Sequence, residues 1–179
     1  MSIDETLVRL ESVVMKRLTI GVHACTEILA LLITTAWADG KLQDEEKEGV
    51  RGAAHVLNLP KELRARLEQL IEKPVPLDQV MIESLSTRDK AFAYVAAVWM
   101  TKLDETLDPK EEALLAEMAE KIGFGDTHRK ELDAIATELA TVGKGKNKFR
   151  WADEIMTLFK AIPPRLEKLD DSDVEVVFE

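Results

Sequence analysis

Four carboxylates are spaced as if they share one task. Asp39 and Glu46 lie seven residues apart, and so do Asp104 and Glu111, with each residue of the second pair 65 positions after its counterpart. Paired acidic turns with backbone carbonyls and water suit a hard cation: Ca²⁺, Mg²⁺ or Mn²⁺. The stretch Trp37-Ala-Asp-Gly-Lys-Leu-Gln-Asp-Glu-Glu46 reads like the second half of a calcium loop. With Asp39 at loop position 5, Gly40 falls at 6, Gln43 at 9 and Glu46 at 12, as an EF-hand requires. The first half does not follow. Positions 1 and 3 are Thr35 and Trp37, and in the second copy Met100 and Lys102. Without those two carboxylates the loop is no EF-hand. A looser site could still pool Asp39, Glu46, Asp104 and Glu111. The same residues have a structural reading: acids at helix starts answer the positive end of the dipole. The two readings are compatible.

Other chemistry is sparse. His23 and Glu27 share one helical face at a spacing that can hold a metal, but there they read as a polar patch on a buried helix. His55 and His128 are isolated. No C-x-x-C, H-E-x-x-H, nucleophile-elbow or phosphate-loop pattern occurs, so no catalytic residues are assigned and a non-enzyme is expected. The single cysteine, Cys25, excludes an internal disulfide and reads as a small packed residue. A net charge of −10 argues against a nucleic-acid binder. No export signal is evident at the N-terminus, and a cytoplasmic setting is expected. The apolar run from Ile20 to Trp37 contains His23 and Glu27 and suits a buried helix better than a membrane span.

The elements that would position these residues are helices. Leu59, Leu63, Leu67 and Leu70 form one stripe, Leu114, Leu115, Met118 and Ile122 another, and Leu132, Ile135, Leu139 and Val142 a third. Helices are expected near 4–18, 22–38, 44–57, 60–72, 77–84, 87–103, 109–122, 126–141 and 150–160. Pro60 and Pro109 open helices, and Gly123 closes one. The segment 143–149 reads as a basic linker. Residues 150–179 read as a short amphipathic helix, stopped by Pro163-Pro164, and a mobile acidic tail. That helix, with Trp151 and Phe159, should dock on the bundle. A membrane surface is the weaker option for it, and strand addition to a partner for the tail.

The 65-residue offset is a duplication. Residues 38–60 lie over 103–125 without a gap, pairing Leu42 with Leu107 and Ala54 with Ala119. The twice-given pattern of apolar helix, Ala38-Asp39-Gly40, Leu42, Glu46 and a second amphipathic helix resembles the TerB-like family of tellurite-resistance-associated helical domains. The resemblance covers residues 24 to 141, and its second copy departs at Glu105, where glycine is expected. It implies an all-α bundle of two helix-turn-helix repeats over 1–142. It also implies a role in stress response, metal sensing or complexes near the membrane. The expected function is a module binding a divalent cation or a protein partner through Asp39, Glu46, Asp104 and Glu111. The alternative is a ligand-free scaffold working through the C-terminal helix and tail. A homodimer and a peripheral membrane contact stay open.

Overall fold

The first helix of each repeat carries a long, mostly apolar run, which drives it to the centre of a bundle. The computed structural model describes residues 16–37, 42, 44–102, 109–139, 151–170 and 173–179. Strand β1 (Lys16–Ile20) leads into α1 (Val22–Ala36), α2 (Asp44–Val56) and α3 (Lys61–Glu72). Two short 3₁₀ turns follow, at Leu77–Gln79 and Ile82–Ser84. Then come α4 (Thr87–Lys102), α5 (Pro109–Ile122), α6 (Asp126–Leu139), α7 (Trp151–Leu166) and strand β2 (Val174–Phe178). The fold class is all-α, as expected. Each of α4, α5 and α6 begins 65 residues after its counterpart in the first repeat. The duplication is therefore one of structure as well as sequence.

Helices α1 and α4 pack on each other and form the middle of the core. Every residue from Ala24 to Thr35 is buried, as is every residue from Ala91 to Trp99. The hydroxyls of Thr34 and Thr35 donate to the carbonyls of Ala30 and Leu31, one turn back, so they can be buried without loss. In both repeats the first helix packs against the third, α1 on α3 and α4 on α6. An indole closes each pair. Trp37 Nε1 donates to the Leu70 carbonyl at 3.1 Å, and Trp99 Nε1 to the Leu139 carbonyl at 2.8 Å. Both acceptors lie in the last turn of a helix, where carbonyls lack a partner within it.

The helix ends follow their caps. Asn58 and Gly123 take positive φ (56° and 78°) just past α2 and α5. Behind them the Leu59 N–H returns to the Ala54 carbonyl, and the Gly123 N–H to that of Ala119.

Four expectations need correction. Residues 16–18, assigned to the end of a helix over 4–18, belong to β1 (Lys16–Ile20); residues 1–15 lie outside those described. Within 77–84, Leu77–Gln79 and Ile82–Ser84 form two 3₁₀ turns, with extended backbone at Val80 between them. Pro163-Pro164 does not stop α7, which runs to Leu166 with both prolines inside it. The loss is limited to two donors near the end of the helix. The chain then turns at Lys168 (φ 57°), with the Leu169 N–H on the Pro164 carbonyl at 2.9 Å.

The fourth correction is the tail. Val174–Phe178 pairs in parallel with β1, from Lys16 opposite Val174 to Ile20 opposite Phe178. Leu18, Ile20 and Val174 point inward and are buried. Arg88 Nη2 donates to the Thr19 carbonyl on β1 at 3.1 Å. Arg17 and Glu179 form an exposed ion pair at 3.1 Å. The tail thus adds a strand to its own chain.

Helix α7 docks on the bundle, as expected, against α2 and α4. Ile155, Leu158, Phe159 and Ile162 are fully buried. Among the described residues, no helix is long and apolar enough to cross a membrane.

Candidate functional site

The acidic turns are only partly described. Asp39 and Asp104 lie outside the described residues. Glu46 is the third residue of α2 and half-buried; Glu111 is the third residue of α5 and buried at 9% exposure. Both make interactions in the fold. Their matching places in the first turn put each carboxylate at the positive end of its helix, as the capping reading expects. Leu42, between Asp39 and Glu46, is buried and plugs the core. Among the described residues, no three His, Cys, Asp or Glu side chains gather to hold a metal ion.

His23 and Glu27 separate in role. Glu27, 7% exposed, turns inward and accepts from Arg66 Nη2 of α3 through both oxygens, at 2.8 and 3.0 Å. The same nitrogen reaches the Gln79 carbonyl at 3.1 Å. Arg66 Nε is buried without a hydrogen-bond partner. His23 is exposed. The second repeat ties its first and third helices differently. Tyr94 donates to Asp133 at 2.7 Å and accepts from Arg129 Nε at 2.9 Å. Burial pushes the Tyr94 phenol up to about 12, opposed by Arg129 and reinforced by Asp133.

A cavity of about 570 Å³ opens where α1 and α4 begin. Gly21, His23 and Ala24 line it at the start of α1, Ser86 and Asp89 at the start of α4, and Arg66 from α3. Ser86 caps α4 by accepting the Asp89 N–H at 3.1 Å. Asp89 is 7% exposed, and its Oδ1 accepts from Arg88 Nε at 3.1 Å. Met81, 61% exposed, sits at the rim. The sequence reading passed over Arg66 and Asp89. For Asp89 a signal existed: Ser86-Thr87-Arg88-Asp89 is a capping pattern, and Ser86 lies 65 residues after Gly21 at the start of α1.

Cys25 is packed, as expected, and fully buried. Burial, with the Asp89 carboxylate adding to it, pushes its thiol up to about 12. The thiolate is the reactive form, and little of it exists below that pH in the folded state. At pH 8, iodoacetamide should label Cys25 only at the rate of unfolding, and urea should speed labelling sharply. Fast labelling of the native protein would show that α1 opens locally.

Comparison with known proteins places the chain without giving it an activity. The family model described as protein of unknown function, DUF533, matches residues 22–136, more than half of the chain, and the chain belongs to that family. The match spans α1 through most of α6, both copies of the repeat. No curated protein and no solved structure matches it.

Proposed function

We propose that this member of the DUF533 family is a non-enzymatic, TerB-like binding module. Its repeat-related acidic turns, Asp39 with Glu46 and Asp104 with Glu111, would take Ca²⁺, Mg²⁺ or Mn²⁺. The ion would order the turns for a protein partner in a cytoplasmic stress- or metal-related complex. One observation carries the reading. The 65-residue offset that relates the acidic residues also relates the starts of all three helices of the repeat. Glu46 and Glu111 therefore hold equivalent places on equivalent helices, and Asp39 and Asp104 equivalent places in the sequence. The structural alternative has Glu46 and Glu111 cap their helices and Asp39 and Asp104 accept N–H groups within their own turns.

The scaffold alternative gave partner contact to the C-terminal helix and tail. In the fold, only the outer faces of these elements are left for a partner. The apolar face of α7 is spent on the core, and β2 on β1.

The test is a thermal melt of metal-stripped protein titrated with Ca²⁺, Mg²⁺ and Mn²⁺, beside Asp39→Ala and Asp104→Ala. A ligand of the native state raises the melting point with concentration; at a hundredfold excess over Kd the gain is about 2.7 kcal/mol. The expected result is a rise with one of these ions that each variant abolishes. A wild type indifferent to all three ions, with variants merely less stable, would reduce the turns to helix caps.

A further inference from the structure

The acidic turns leave the cavity at the start of α1 and α4 without a role. Its polar groups can be assigned one by one. Thr26 Oγ1 donates to the Val22 carbonyl, and Ser84 Oγ to that of Met81, each at 2.7 Å. Ser86 Oγ takes the Asp89 N–H, and Glu27 is held by Arg66. Besides Arg66 Nε, buried without a partner, two sets of groups remain. One is Asp89, whose Oδ1 meets Arg88 while its second oxygen meets nothing among the described residues. The other is the start of α1. The first N–H groups of a helix have no partner within it. Gly21 supplies no side-chain cap, and only the Val22 N–H is met, by the Glu179 carbonyl at 2.8 Å. Among the described residues, the His23 and Ala24 N–H groups have no partner.

Both sets belong to residues lining one cavity, of a volume usual for small-ligand sites. One is the free oxygen of a carboxylate whose side chain is 10% exposed and which Arg88 holds by its other oxygen. The other is a pair of donors at a helix N-terminus, where an anion is favoured. Leu63, Met81 and Leu85 add an apolar wall. A lone anion would face Glu27 and Asp89; a lone cation would face Arg66 and the α1 dipole. The pairs Glu27–Arg66 and Asp89–Arg88 balance in charge, so a ligand that is itself neutral overall fits best.

We propose that this cavity binds a small amino-acid-like zwitterion. Its carboxylate lies on the His23 and Ala24 N–H groups, its ammonium on Asp89, and its apolar side chain along Leu63, Met81 and Leu85. This site is separate from the acidic turns and does not depend on them.

Three probes of one shape test it on the full wild-type chain: L-leucine, 3-methylbutylamine without the carboxylate, and 4-methylpentanoate without the ammonium. Melting temperature and amide chemical shifts are followed. Leucine should raise the melting temperature with concentration and move the His23 and Ala24 amides, while the other two at equal concentration do neither. Asp89→Asn should remove the leucine response. Since Asp89 also sits in the α4 cap, Met81→Lys at the exposed rim should weaken it without touching that cap. No response to leucine, or an equal response to either one-charge probe, overturns the proposal. So does tighter binding of the dipeptide Leu-Leu, which would assign the site to peptide ends. A response that survives both substitutions places leucine elsewhere and overturns it too.

Discussion

Phe159→Ala should lower the unfolding free energy by about 3–5 kcal/mol, the range for removing a buried aromatic side chain. Phe159 is fully buried at the meeting of α7, α4 and β2. Its ring meets Phe92 edge-to-face, with centroids 4.8 Å apart and planes at 77°, and Phe178 at 6.3 Å. Such pairs contribute about 0.5–1.5 kcal/mol beyond their buried area. Domains are stable by only about 5–15 kcal/mol, so the loss is a large fraction of the total. Urea denaturation followed by helical circular dichroism would measure it. A single transition at a lower midpoint, with unchanged slope, is expected. A variant that kept the wild-type midpoint would make α7 an appendage outside the core.

The sequence carried the repeat and most helix boundaries, because those signals are local. A leucine stripe, a proline at a first turn and Gly123 past a last turn each act within a few residues. The offset of 65 needed only the chain compared with itself. The sheet was harder to see. Each strand is five residues long, and β2 finds its partner across nearly the whole chain. The alternation of Val174, Val176 and Phe178 was present, but acidic neighbours made it read as a solvated tail. The same limit hid the cavity. Glu27 and Arg66 are 39 residues apart on different helices, and no spacing rule joins them. Of the four acidic residues proposed for metal, the structure places Glu46 and Glu111 at equivalent first-turn positions, while Asp39 and Asp104 lie outside those described.

Arg66→Met should cost about 3 kcal/mol, the lower end for stranding one partner of a buried ion pair. Glu27 would be left without its partner at 7% exposure on the buried part of α1. The Gln79 carbonyl would lose its donor as well. Glu27→Leu should cost less. The Arg66 side chain is 28% exposed against 9% for that of Glu27, so a stranded guanidinium can still reach water. The double variant Glu27→Leu/Arg66→Met should recover most of the loss and lie within about 1 kcal/mol of wild type. Replacing both partners by apolar groups of similar volume is often neutral or stabilising, and it also removes the unpartnered Arg66 Nε, a buried donor that costs about 1–3 kcal/mol when unmade. Urea midpoints of the four proteins give the coupling directly. The expected order of stability puts Arg66→Met lowest, Glu27→Leu next, and the double variant close to wild type. If the double variant were as unstable as the sum of the singles, the pair would act through packing, and its charge would contribute nothing separable.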